Sequence, residues 1–223
     1  MNKFFILFIL LCSLKSIGQN NSQKKPEDKL GVWYMYNGSH QFSTKFSLKT
    51  MAHFRFYEIG DDIQQFFSRL GVNYKINQNI NTTLGYAFIN TDATYNIDHG
   101  DINEHRIYED FNIKHKINTL KLTHRFRAEQ RFFNTTTSHF LRYQIVLSHP
   151  LNNKWETYLY NEIFFDFNGQ AYNQNWLGTG FKYKISKAMK LKLAYQLISV
   201  NQGVNFNRIL LGITINTNHL KNK

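Results

Sequence analysis

The strongest constraint on this chain is a period of two. In residues 120–132, LKLTHRFRAEQRF, the positions Leu120, Leu122, His124, Phe126, Ala128, Gln130 and Phe132 lean apolar, while Lys121, Thr123, Arg125, Arg127, Glu129 and Arg131 carry the charge. Successive strand side chains point to opposite faces, so the segment reads as one long strand with a greasy face and a charged face. A helix would repeat its apolar positions near 3.6 and does not fit. The same beat runs through 41–56, where Phe42, Phe46, Leu48, Ala52, Phe54 and Phe56 oppose Lys45, Lys49, His53 and Arg55. It recurs at 64–76, 80–91, 104–117, 119–132, 139–149, 154–167, 175–186, 189–200 and 206–217, which predicts ten strands.

Strand length selects among all-β architectures. A strand crossing a bilayer at the tilt of a barrel needs about 9–11 residues, whereas strands of soluble sheets run to about 5–6. Most of these segments reach the membrane length. Short connections at 77–79, 116–118, 150–153 and 186–188 alternate with longer or more polar ones at 58–63, 91–103, 133–138, 168–174 and 201–205. That is the layout of an outer-membrane barrel with short turns on its periplasmic side, and ten strands would put both chain ends on that side. The sequence thus predicts an all-β fold, an antiparallel up-and-down transmembrane β-barrel of about ten strands. Residues 30–37, LGVWYMYN, are strand-like as well, but as an eleventh spanning strand they would put the N-terminus on the wrong side, so the alternatives are a short inner or edge segment or a barrel of twelve strands. With no nonpolar helix available, closed strands are the only way to cross, since every backbone polar group must be paired inside lipid.

The first residues, MNKFFILFILLCSLKSIGQ, read as a cleaved export signal, with Lys3, an apolar run from Phe4 to Leu14, and small Ser16 and Gly18 before a cut at Gln19. The run is shorter than the roughly 20 residues of a spanning helix. The chain then divides into a signal peptide (1–18), a polar linker (19–29) and a barrel domain (30–223). Cys12, the only cysteine, lies inside the signal and follows Leu11 rather than a small residue, against lipid anchoring. The mature chain therefore has no thiol for a disulfide, a nucleophile or a metal site. The full chain carries 27 Lys and Arg against 15 Asp and Glu, and losing Lys3 and Lys15 with the signal leaves 25 against 15. A basic balance suits nucleic acid, anionic lipid or anionic solutes, and an exported chain without a basic low-complexity arm makes nucleic acid the weakest of the three.

A charge on the lipid face near the midplane costs roughly 2–4 kcal/mol, so the apolar parity is expected to face hydrocarbon and the charged parity the lumen. Arg106, Arg125, Arg127, Glu129, Arg131, Arg142, Glu156 and Glu162 then form a lumen charge network, with Lys45, Lys49, Arg55, Arg69, Arg208, Asp110 and Asp166 on the same side. Such a network either fills a narrow barrel with paired charges or makes a basic constriction that passes small anionic solutes. Phe132, Phe165 and Trp176 by the long loops, and Trp155 and Tyr183 by the short turns, are predicted to form two aromatic girdles. The expected partners are outer-membrane lipid, the barrel-insertion machinery and small anionic solutes. No cofactor, metal or nucleic acid is expected, and the barrel is expected to be a monomer.

Two alternatives belong to other classes. A lipid hydrolase or acyltransferase would need a nucleophile, a His and an orienting group together near a rim. Ser138 with His139 and Ser148 with His149 are the candidates, but adjacent strand residues face opposite ways. Glu104 and His105 beside Arg106 lack the repeated spacing of a metal site. A soluble lipocalin-like barrel would require an apolar interior and a polar exterior.

The runs NEHRIYEDF (103–111), HRFRAEQRF (124–132), LYNEIFF (159–165) and YNQNWLGTGFKY (172–183) resemble the Gram-negative outer-membrane barrel family called domain of unknown function 2490, and the likeness extends over nearly the whole mature chain. The resemblance implies a fold and a location and assigns no reaction. Trp176 stands where that family leads one to expect an arginine. The last strand is followed by HLKNK instead of ending on an aromatic, which bears on how the insertion machinery would recognise it.

Overall fold

The period-two segments become strands that all join one closed sheet. The computed structural model describes residues 25–95, 101–169 and 171–220. Its eleven strands are β1 (Leu30–Gln41), β2 (Phe46–Phe56), β3 (Ile63–Lys75), β4 (Ile80–Asp92), β5 (Asp101–Ile117), β6 (Leu120–Phe132), β7 (Thr137–Pro150), β8 (Trp155–Asp166), β9 (Tyr172–Lys184), β10 (Met189–Val200) and β11 (Asn205–Asn218). Consecutive strands pair antiparallel. The barrel is closed by β1 lying parallel to β11, from Leu30 opposite Asn207 to Gln41 opposite Asn218.

This corrects the count of ten. LGVWYMYN is the first part of β1, which finds a ladder on both of its edges, β2 on one side and β11 on the other. The odd number has a geometric consequence. β1 starts at the long-loop end and β11 finishes at the short-turn end, so the expectation of both ends on the short-turn side fails, and the barrel is not purely antiparallel. The signal peptide and its cleavage point lie outside the described residues. The end of the polar linker is not loose: Pro26–Asp28 form one 3-10 turn, and Lys29 Nζ donates to Glu58 Oε1 at 2.7 Å in the 57–62 loop. That bond raises the pKa of Lys29 above its ordinary value.

The connections at 42–45, 76–79, 118–119, 151–154 and 185–188 share one end of the barrel, and those that follow β2, β4, β6, β8 and β10 leave from the other. Three of the short turns use one device. Asn77, Asn152 and Ser186 each accept, on a side-chain oxygen, the backbone N–H groups two and three residues ahead, which satisfies donors that the end of a ladder leaves free. In the tightest turn Asn118 adopts φ 55°, a left-handed conformation that asparagine tolerates better than most residues.

Along β6 the burial follows the sequence parity. Arg127 and Glu129 are buried inside, while Phe126 and Phe132 are exposed outside. Exposed Leu70, Val72, Leu84, Leu159, Leu177, Phe181, Leu191 and Leu193 continue that apolar outer face around the barrel. A soluble barrel would show the reverse, so the lipocalin-like alternative loses its premise. Polar groups on the outer face largely satisfy one another. His40 bonds Thr217 at 2.9 Å on β11 and Thr50 at 3.1 Å on β2, and Tyr36 also reaches Thr50 at 3.0 Å. His124 bonds the Tyr143 hydroxyl at 2.8 Å and stacks on His115 with centroids 5.1 Å apart. Glu109 is the exception, exposed on the outer face between Ile107 and Phe111 with no ion pair among the described residues.

Two facing glycines shape the interior. Gly71 of β3 and Gly85 of β4 are paired, and the buried Tyr108 ring of β5 lies over them. A Cβ at either would collide with that ring, and at Gly85 also with the Leu70 carbonyl oxygen, which cannot swing aside. Gly85→Ala is therefore expected to cost about 1–3 kcal/mol of unfolding free energy through overpacking. Gly212→Ala, whose Cβ would meet neighbours no closer than 3.4 Å, should cost far less. Urea titration of both variants in detergent checks this.

Candidate functional site in the barrel lumen

Four consecutive strands build the charge network. β6 supplies Arg125, Arg127, Glu129 and Arg131 from its inward parity, β5 supplies Glu104, Arg106 and Asp110, β7 supplies Arg142 and Gln144, and β8 supplies Glu162. Glu129 is its centre. Its oxygens accept from Arg142 Nη1 at 2.7 Å, from Arg131 Nη2 at 2.6 Å and Nε at 3.0 Å, and from Arg106 Nη1 at 3.2 Å, with Arg127 at 3.6 Å. Arg142 passes the connection on to Glu162, at 2.8 Å from Nε and 2.7 Å from Nη2. Glu162 also accepts from Arg125 at 2.6 Å and from Gln144 at 2.8 Å. Asp110 holds Arg127 through two parallel bonds of 2.6 and 2.7 Å, and Glu104 lies 2.5 Å from Arg106. Charge-assisted forks of this kind satisfy both partners where water cannot.

Aromatic rings join this wall to the opposite one. Trp176 of β9 packs edge-on against Trp33 of β1, with centroids 5.3 Å apart, and tilts against Phe164 of β8 at 4.7 Å. The Arg142 guanidinium stacks on Phe164 at 3.9 Å and lies 5.5 Å from Trp176. From across the lumen Arg55 of β2 stacks on Trp33 at 3.8 Å and comes within 5.8 Å of the same Trp176 ring. Arginine planes over ring faces are mutually attractive and leave little room for water. Glu129 and Glu162 are each only 1% exposed. The lumen is bridged from wall to wall at this level.

On the short-turn side of that layer the lumen opens into linked cavities. A cavity of about 310 Å³ begins beneath Trp33, Arg55, Phe67 and Trp176 and is lined lower down by Lys182 and Lys192. One of about 320 Å³ shares Asn37, Arg69, Arg125, Arg127 and Thr214 with it and adds Lys49 and Lys114. A third, of about 210 Å³, shares Ser39, Asn81 and Lys114 and reaches the short turns at Thr44, Lys45, Asn77 and Gln78. The family described as protein of unknown function (DUF2490) matches residues 30–218, from the first residue of β1 to the last of β11. The chain belongs to this family.

No curated protein matches the chain in sequence. Among solved structures, this DUF2490 chain is similar to the KdgM porin at 13% identity and a TM-score of 0.50, over 82% of this chain and 97% of that one. It is similar to a structure of the NanC porin at 9% identity and a TM-score of 0.50, over 80% and 94%. LpxR from Salmonella typhimurium matches at 7% identity and a TM-score of 0.46, over 76% and 83%. At such identities the likeness to the two porins concerns the fold.

The DUF2490 barrel brings Arg106, Arg125, Arg127, Glu129, Arg131, Arg142 and Glu162 into one network. Glu156 stands apart from it near the short turns, where it bonds Lys182 at 2.8 Å and faces Lys121 at 3.6 Å. Phe132 and Phe165 are exposed near the long loops, and Trp155 packs on Tyr183 at 4.8 Å near the short turns. Trp176 is a correction, because it points into the lumen, where it packs on Trp33 and Phe164. Its parity is that of Gln174, Gly178 and Lys182, opposite to the outward Leu177, Phe181 and Tyr183. His105 faces outward to Tyr86 at 2.6 Å, while Glu104 turns inward to Arg106, so the two do not converge on a metal. Sequence reading missed the joint role of Arg55, Trp33 and Trp176. Their inward parity was available, but that they meet across the lumen depends on how the sheet closes.

Proposed function

We propose that this protein is an outer-membrane barrel of porin-like build whose lumen is shut by the Glu129 network and the Trp33–Arg55–Trp176 bridge. It forms a blind, basic vestibule that admits small anionic solutes from the periplasm without passing them through. The burial of Glu129 and Glu162 among five arginines carries this reading, since a water-filled channel would expose them. The apolar outer face, strands of 11 residues or more and the porin-like fold support residence in the outer membrane. The short turns then lie on the periplasmic side, where outer-membrane barrels keep them. In this reading residues 1–18 serve export, residues 19–29 are a linker, the insertion machinery delivers the chain to lipid, and the barrel works as a monomer without a cofactor. Cations around the vestibule raise the local concentration of anions. In planar bilayers the wild-type protein is expected to give no steady porin-like current at low voltage. Stable open-channel steps from the wild type would overturn the closed-lumen reading.

A further inference from the structure

Among the described residues, three cations of the vestibule have no ion-pair partner. Arg69 of β3 and Arg127 of β6 both lie against the Tyr108 ring, at 4.9 and 4.8 Å from its centroid. Arg127 has Asp110. Arg69 has neither a carboxylate within 4.0 Å nor a side-chain hydrogen bond among the described residues. Lys49 of β2 donates to the neutral Ser39 at 2.7 Å, and Lys114 of β5 has no ion pair among the described residues. All three side chains line the same cavity of about 320 Å³, whose two other arginines are already paired, Arg127 to Asp110 and Arg125 to Glu162. Three uncompensated charges from three strands repel one another in a partly enclosed space, and a bound anion would relieve that repulsion. The rest of the wall holds the Asp110–Arg127 pair, whose carboxylate is already engaged, and neutral hydrogen-bonding groups, Asn37, Asn112, Thr214 and Asn216 among them.

We propose that this cavity is a binding site for a small phosphorylated, hydroxyl-bearing solute, a sugar phosphate in chemical class. A phosphate monoester carries about −1.5 to −2 charge at neutral pH on three strong acceptor oxygens, which matches a cluster of three cations better than a single carboxylate does. The Asn and Thr wall offers donors and acceptors to hydroxyl groups. The ligand enters from the short-turn end, because the cavity joins the one that reaches Lys45 and Asn77, and the aromatic bridge blocks the way beyond it. The site rests on the vestibule reading for its direction of entry, but its binding can be measured apart from conductance.

The test is calorimetric titration of the whole folded protein in detergent with glucose 6-phosphate, inorganic phosphate, glucuronate and glucose at matched ionic strength. Glucose 6-phosphate is expected to bind tightest, phosphate more weakly and glucose not at all. Arg69→Gln should weaken glucose 6-phosphate about tenfold or more, the loss of one charge-assisted contact, while Lys154→Gln in the short turn 151–154, outside the cavity, should change it little. Heat-modifiable gel mobility reports whether each variant is folded, and Lys114→Gln, farther toward the short-turn end, serves if Arg69→Gln is not. Glucuronate binding as tightly as glucose 6-phosphate would overturn the phosphate assignment. Unchanged affinity in the folded Arg69→Gln or Lys114→Gln variant would overturn the site. Bilayer current through the wild type together with Arg69-dependent binding would sink the closed lumen and leave the site standing.

Discussion

Glu129→Ala is expected to lower the unfolding free energy by about 3–5 kcal/mol, the usual consequence of breaking a buried ion pair from one side. The carboxylate receives Arg142, Arg131 and Arg106 directly. Its removal leaves three guanidinium groups short of a partner around a position that is only 1% exposed. Arg142 keeps Glu162 and Arg106 keeps Glu104, so relaxation is partial. Leu122→Ile on the outer face of the same strand preserves apolar volume and should cost about 1.5 kcal/mol at most. Urea unfolding of both variants in lipid or detergent separates the cases. A Glu129→Ala barrel as stable as the wild type would mean that the carboxylate is solvated, and the packed-lumen account would fail with it.

Phe126→Arg tests the other face and should cost about 2–4 kcal/mol in a bilayer, the range for a cation at the midplane of a barrel's lipid side. Phe126 stands midway along β6, is 42% exposed and packs on Tyr143 with centroids 5.0 Å apart. In the proposed membrane setting the arginine would replace a ring that faces hydrocarbon, and its inward neighbours Arg125 and Arg127 cannot reach round the strand to help it. Leu151→Arg in the short turn 151–154 also changes an exposed apolar residue, yet at the water interface the same charge should cost about 0–1 kcal/mol. The measurement is unfolding from lipid vesicles. Equal, small effects at both positions would show that β6 does not lie in a membrane.

Much of the interior was legible because a strand's two faces are a matter of counting. Arg127, Glu129 and Arg131 lie two residues apart, so their meeting on one face follows from the pleat, and Arg142 follows once β6 and β7 pair as consecutive antiparallel strands. Trp176 was legible too and was misread. It and Tyr183 have opposite parity, so a single regular strand could not turn both to lipid. Contacts across the lumen were not legible. Whether Arg55 of β2 meets Trp176 of β9 depends on strand number and stagger, which a one-strand change alters throughout. LGVWYMYN was ambiguous for the same reason, since its partner β11 is the most distant strand in the sequence. Glu109 shows the limit of the parity rule, for it places a carboxylate among the outward residues of β5.

The seam between β1 and β11 has a consequence for assembly. Every other pair can form as a hairpin as the chain is made, but this ladder joins the two extremes of the barrel; His40 and Thr217, bonded across it, are 177 residues apart in sequence. It is also the parallel pair, the type slightly weaker per residue. The entropy of ring closure therefore falls on this ladder, and its formation is the expected slow step of assembly. His40, bonded to Thr217 on one neighbour and Thr50 on the other, acts as a latch over that junction.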